Sequence, residues 1–115
     1  MLQSKFISDI VHLLVDINDH YLSAKKQIDF LTEAKYEYSG TGLFVTFSHE
    51  QGIDNYKCAG DSFLLDGVDI KSTELSADGD AILFFKNGLI DLLEIWSYDG
   101  YYPRAELKDY TLIKR

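Results

Sequence analysis

The sequence has few cysteines and no long apolar runs, the features that are typical of secreted and membrane-spanning proteins. It has one cysteine, Cys58, in 115 residues, so no internal disulfide can form, and this favours a reducing compartment. Its longest apolar runs, such as Ala81–Phe85, are far shorter than the roughly 18 residues that a membrane-spanning helix needs. No basic segment precedes an apolar stretch with a small-residue cleavage site, as a signal peptide requires. We therefore expect a cytoplasmic protein that does not enter a membrane.

Positive charge is also scarce. Lysine and arginine contribute 11 residues against 19 acidic residues, which gives a formal net charge of −8. Because nucleic-acid phosphates would be repelled, direct binding to nucleic acid is disfavoured. Hydrophobic residues make up 46% of the chain and aromatic residues 14%, so an acidic disordered tail is excluded. The length suits a single domain over residues 1–115 that folds without a metal or a disulfide.

An amphipathic helix is predicted over about Leu2–Leu22, with Ser4 as its N-cap. The pair Asn18-Asp19 either ends or interrupts this helix, and Ser23–Gln27 is either a last turn or the connection to the first strand. The apolar positions that recur at spacings of three and four are Phe6, Ile10, Leu13, Leu14, Ile17 and Tyr21.

From Asp29 onward the pattern is typical of β-strands. The strongest signal is Asn87-Gly88 between two apolar runs, because a type I′ hairpin turn needs a positive φ at both positions. Residues 31–35 are compatible with a strand or with a short helix. The predicted fold class is therefore α+β, with an N-terminal helix packed on a twisted antiparallel sheet of about five or six strands. Shorter strands are predicted near Leu43–Phe47, Ser62–Leu65, Val68–Ser72 and Asp109–Ile113.

The predicted hairpin leaves an apolar sheet face that one helix cannot cover. If Lys86 pairs with Leu89, parity places Glu94 opposite Ala81 and beside Trp96, and both faces of the hairpin are largely apolar. The second face must curl on itself, pack under the loops of residues 50–80, or meet another protein. Glu94 is then a tuned acid, an interface anchor or, as we favour, a side chain that reaches solvent at the sheet edge.

Two segments are candidates for binding a partner. Residues 50–80 contain eight acidic residues and two lysines, a formal charge of −6 that would attract a cationic protein, although single aspartates there also suit turns. Residues 96–102 carry tryptophan and tyrosines, which are typical of interface hot spots and equally of a strand end folded over the rim of the sheet. We predict a partner-binding surface made of Asp66, Asp69, Glu74, Asp78, Trp96, Tyr98, Asp99, Tyr101 and Tyr102.

The pattern predicts no catalytic residue, no cofactor and no metal site. The segment His49-Glu50 begins like a zinc-protease helix, but Ile53 occupies the position of the second histidine. His12 and Asp16 lie one helical turn apart, as a general-base pair would, yet they belong to the polar arc of the helix, where a solvated pair is usual. We therefore expect a non-enzymatic protein.

Three segments, Tyr38–Phe44, Gly79–Gly88 and Leu93–Gly100, resemble small bacterial immunity proteins found beside contact-dependent or other polymorphic toxins. The resemblance covers roughly residues 36–103 and consists of turn glycines and strand residues, so no functional residue is transferred with it. It implies a non-enzymatic inhibitor that binds a cognate toxin. Many such toxins are basic nucleases, whose substrate groove an acidic protein can block.

The residues themselves leave two alternatives open. One is a homodimeric accessory or binding domain that uses the second apolar sheet face as its interface. The other is a small enzyme with a pocket between helix and sheet, in which Glu94, Asp91 and His12 would converge.

Overall fold

The structure, a computed structural model, describes residues 1–18 and 22–115. It confirms the predicted α+β class: two helices precede an antiparallel sheet, which in the described residues has seven strands instead of five or six. Short 3-10 turns follow the second helix and the second strand. The helices are α1 (Lys5–Asp16) and α2 (Leu22–Gln27), and the strands are β1 (Leu31–Tyr38), β2 (Gly42–His49), β3 (Phe63–Leu65), β4 (Val68–Lys71), β5 (Gly79–Lys86), β6 (Leu89–Ser97) and β7 (Thr111–Lys114).

Helix α1 begins where the sequence predicts and ends earlier. The Ser4 hydroxyl caps it by accepting a hydrogen bond from a first-turn amide at 3.1 Å. Helix α1 ends at Asp16 and a separate helix begins at Leu22, so the break at Asn18 follows the alternative that the sequence left open there. The Asn18 side-chain amide donates to the Leu14 carbonyl at 2.7 Å, a local bond that satisfies the end of the helix in place of a further turn. Residues 19–21, which include Tyr21 of the predicted apolar stripe, lie outside the described residues.

Residues 23–27, predicted as a last turn of the first helix or as the connection to the first strand, belong to a separate short helix, α2. Its last residue, Gln27, is buried and joins the helix to the sheet. The Gln27 amide nitrogen donates to the Gly88 carbonyl at 2.9 Å, and its amide oxygen accepts from the Ile90 amide at 2.9 Å. A single side chain therefore holds α2 against the turn between β5 and β6.

The strand order is β1-β2-β6-β5-β4-β7, and neighbouring strands are antiparallel. Strand β3 pairs with Leu83–Phe85 of β5, whereas β4 pairs with the first two residues of β5. Strands β3 and β4 therefore share one side of β5. The sheet is six strands wide along its main path, and β3 is the seventh strand. Residues 31–35, for which strand and helix were both open, lie in β1.

The turn between β5 and β6 is the one that the sequence predicts. Asn87 and Gly88 have φ angles of 54° and 77°, and Lys86 pairs with Leu89 on either side of them. Both positive angles match a type I′ turn, whose twist suits the two strands that it joins.

A bulge in β6 follows directly after this turn. Phe85 pairs with Ile90, but Phe84 pairs with Leu92, so Asp91 is an extra residue without a partner position on β5. Such a bulge shifts the alternation of side chains by one residue along the rest of the strand.

The bulge reverses the predicted faces of β6. Glu94 pairs with Ile82 and not with Ala81, so its predicted cross-strand partner is wrong, whereas Trp96 lies beside it on the same face as predicted. Leu92, Glu94 and Trp96 share the face of Ile82, while the residues between them turn toward the helices.

The helices cover one face of the sheet. Strand residues on that face are buried in one core with α1 and α2, whereas the alternate residues of the central strands are half-buried. We call the side without helices the outer face. The centre of the outer face consists of Phe44, Ile82, Phe84, Leu92, Glu94 and Trp96.

Candidate functional site

The centre of the outer face is an apolar surface around one carboxylate. Glu94 lies between Phe44 of β2 and Ile82 of β5 in the strand register, and its neighbours on β6 are Leu92 and Trp96. Cross-strand neighbours on one face have Cβ atoms about 5 Å apart, so apolar side chains surround the Glu94 side chain on four sides.

The Glu94 carboxylate makes no hydrogen bond and no ion pair with residues 1–18 or 22–115. The other acidic side chains that the register places on the outer face do have cations: Glu37 pairs with Lys35 at 2.7 Å, and Asp69 pairs with Arg115 at 2.5 Å. Since a carboxylate loses hydration when a surface covers it, a partner that packs here must supply a donor or a cation.

The end of the outer face beside Trp96 carries a cluster of charged groups. The Arg115 guanidinium contacts Asp69 at 2.5 Å and Asp80 at 3.1 Å, and the Tyr98 hydroxyl donates to Asp80 at 3.2 Å. Hydrogen bonds to Asp69 and Asp80 raise the pKa of Arg115, and partial burial followed by the Asp80 charge raises the pKa of Tyr98. Two carboxylates share one guanidinium, so the cluster remains net negative.

A second group of hydrogen bonds shapes the turn after β6. The Asp99 carboxylate accepts from the Ser97 hydroxyl at 2.7 Å, from the Tyr101 amide at 3.0 Å and from the Ser76 hydroxyl. These bonds lower the pKa of Asp99, with that from Ser76 as the largest cause. The turn leaves the side chains of Tyr98 and Tyr101 exposed by 55% and 62%. We call Asp69, Asp78, Asp80, Tyr98, Asp99 and Tyr101 the acidic end.

The structure brings most of the predicted binding residues together at this acidic end. Asp78 joins the acidic end through its carbonyl, which accepts from the Tyr98 amide at 3.0 Å, and its carboxylate pairs with Lys71 at 2.8 Å. Trp96 is half-buried and links the acidic end to the centre of the outer face.

Three predicted binding residues lie elsewhere. Glu74 accepts hydrogen bonds from the amides of Lys108 and Asp109 at 2.7 and 2.8 Å and so anchors the segment before β7. Asp66 is exposed in the turn between β3 and β4, where its carbonyl accepts from Asn18 at 3.4 Å. Tyr102 is 2% exposed in the core, where burial raises its pKa, so its side chain offers no surface to a partner.

Sequence reasoning missed Asp80 and Arg115, and it placed Glu94 on the face of Ala81. The signal for Glu94 was present, because a charged residue in an apolar strand and an uncovered sheet face were both visible in the sequence. The bulge at Asp91 hid their connection, since it moved Glu94 onto the face that the helices leave open.

The residues of the predicted enzyme pocket between helix and sheet do not come together. His12 lies on α1, which packs on the inner face, whereas Glu94 lies on the outer face, so the two do not line a common pocket. A cleft of about 850 Å³ does exist between α1 and residues 106–112, and it includes His12 and Asp16. Its polar groups are engaged in fold contacts, as Asp9 accepts from Lys5 at 2.6 Å and from Tyr110 at 2.7 Å.

Among residues 1–18 and 22–115, no group of three histidine, cysteine or acidic side chains is arranged to hold a metal ion. None of the helices within these ranges has the length and apolar character needed to cross a bilayer. Comparison with models of protein families, with curated proteins and with solved structures found no match to the chain.

Proposed function

We propose that the chain is a cytoplasmic immunity protein that binds and neutralises a basic, nuclease-type bacterial toxin. The observation that carries this proposal is an apolar sheet face without helices, with a net negative cluster at its end. At its centre lies Glu94, whose carboxylate is unpaired among the residues that the structure describes. Apolar surface of this kind is typical of interaction sites. The resemblance of three segments to immunity proteins supports the same function.

The charge of the chain explains how such an inhibitor would act. A formal net charge of −8 attracts a basic protein and accelerates the encounter of the two. The groove of a nuclease is basic because it holds phosphates. An acidic surface that occupies this groove would exclude the nucleic acid without any catalytic step.

A homodimer formed through the outer face is the competing use of the same surface. In a two-fold interface the same patch meets itself, so two Glu94 carboxylates would approach each other between chains that each carry −8. This repulsion favours a cationic partner over a second copy.

The test is co-expression of the chain with each nuclease-type toxin domain encoded in its source genome. We expect one toxin to become harmless and to co-purify with the chain in a 1:1 complex. If every toxin stays active and light scattering shows the chain alone as a dimer, the proposal is wrong and the homodimeric alternative replaces it.

A further inference from the structure

We propose that Glu94 binds an arginine side chain of the partner, whose guanidinium group lies against the ring of Trp96. The proposal deepens the proposed function and depends on it only for the identity of the protein that carries the arginine. It names the central contact of the outer face and the chemistry that a partner must bring to it.

The carboxylate requires a cation because residues 1–18 and 22–115 provide none. Within the described ranges, Glu94 is unpaired while Glu37, Asp69 and Asp80 each contact a lysine or an arginine. A partner that covered the apolar residues around Glu94 without a cation would bury an unpaired charge at a cost of several kcal/mol. The site therefore rejects purely apolar surfaces and selects for a positive one.

The surroundings favour arginine over lysine. A guanidinium is planar, presents two parallel donors to a carboxylate and stacks on an aromatic ring, whereas an ammonium is compact and strongly hydrated. Trp96 is two residues from Glu94 on the same face of β6. Phe44 on β2 is the cross-strand partner of Glu94. An arginine that enters here meets a carboxylate and an aromatic face together.

The test uses the acetylated, amidated peptide Leu-Arg-Leu-Arg-Leu and its lysine counterpart as probes of the whole chain. Binding is followed by the fluorescence of Trp96, the single tryptophan, and by amide chemical shifts. We expect a saturable change at Trp96, with shifts centred on β2, β5 and β6 around Glu94. The lysine peptide should bind about three- to tenfold more weakly, because an ammonium lacks the planar stacking contact.

A matched pair of variants separates the contact from general charge attraction. Glu94→Gln keeps the shape of the side chain and should weaken binding of the arginine peptide about three- to tenfold, because the amide still accepts a hydrogen bond but loses the contribution of the charge. Asp29→Asn removes one charge from an exposed residue of the 3-10 turn after α2 and should leave the affinity unchanged. The proposal would be overturned if Glu94→Gln bound the arginine peptide as tightly as wild type does, or if wild type bound the arginine and lysine peptides equally. Chemical-shift changes centred on the acidic end would also overturn it.

The outcomes also separate this inference from the proposed function. If a toxin is neutralised equally by wild type and by Glu94→Gln, the arginine contact is wrong and the immunity function stands. If no toxin is neutralised but the peptide results hold, the arginine site stands and belongs to a partner of another kind.

Discussion

Glu94 makes no hydrogen bond and no ion pair within residues 1–18 and 22–115, so these residues give its charge no stabilising partner. It is a lone carboxylate between Phe44 and Ile82, where an apolar residue would pack better on both neighbours. A residue that is kept for binding commonly lowers the stability of the free protein.

We therefore expect Glu94→Val to raise the free energy of unfolding by about 0.5–1 kcal/mol. Urea unfolding at neutral pH, compared with wild type, measures the change. A loss of stability instead would mean that Glu94 has a stabilising partner within the chain, and the account of the outer face would then be wrong.

Gln27, unlike Glu94, has a side chain whose polar atoms all form hydrogen bonds within the fold. Its amide nitrogen donates to the carbonyls of Tyr56 at 2.8 Å and Gly88 at 2.9 Å, and its oxygen accepts from the Ile90 amide at 2.9 Å. The sequence did not reveal this role, because a glutamine in a short polar segment has no pattern that distinguishes a buried link from a solvated residue.

Gln27→Leu should lower the free energy of unfolding by about 3 kcal/mol, because it removes the acceptor of the buried Ile90 amide and the side-chain donor to the Tyr56 carbonyl. The control is Ser23→Ala on the exposed side of α2, which should change stability by about 0.5 kcal/mol or less. Similar unfolding curves for both variants would contradict the role given to Gln27.

At the scale of elements, the sequence predicted the β5–β6 hairpin but not its bulge. Asn87-Gly88 specifies the turn chemically, since both residues tolerate a positive φ. The bulge at Asp91 has no such marker, because residues on both faces of β6 are apolar and either parity looks acceptable. One missed residue therefore transferred Glu94 and Trp96 to the wrong face, so their position beside Phe44 and Ile82 could not be predicted.

The contact between β2 and β6 depends on Gly42, the first residue of β2. A Cβ atom at Gly42 would lie 2.2 Å from the Ile95 carbonyl oxygen, which is backbone and cannot move aside cheaply. Gly42→Ala should lower the free energy of unfolding by about 2 kcal/mol or more, because the strands must separate locally.

Thr46→Ala, on the same strand and exposed, is the matched control for Gly42→Ala, with an expected loss of about 1 kcal/mol or less. Thermal unfolding of both variants makes the comparison. If Gly42→Ala were as stable as Thr46→Ala, the close approach of β2 to β6 would be disproved.

At the scale of the whole molecule, the excess of negative charge acts at long range. Many of the acidic side chains have cations nearby, yet the formal net charge remains −8. Composition alone predicted this property, because net charge does not depend on the fold. Which acidic residues contact a partner does depend on the fold, and for that reason Glu74 was assigned to the binding surface although it anchors backbone amides.

The double variant Asp61→Asn with Asp66→Asn changes two exposed residues and reduces the formal net charge from −8 to −6. Its association rate with the neutralised toxin should fall about two- to fivefold at low salt and match wild type at high salt, because salt screens steering. Asn55→Asp adds one negative charge and should raise the rate. Stopped-flow mixing over a salt series measures both, and rates insensitive to these changes would contradict electrostatic steering.

The central claim is that the outer face around Glu94 is the surface that neutralises a toxin. The most direct test compares the growth of cells that express the toxin together with wild type, with Glu94→Lys or with Asp29→Lys. The two variants change the charge equally, the first on the outer face and the second on an exposed turn. We predict that Glu94→Lys fails to protect, because a cation meets a cation at the centre of the interface, while Asp29→Lys protects the cells. Full protection by a correctly folded Glu94→Lys would show that the toxin binds elsewhere.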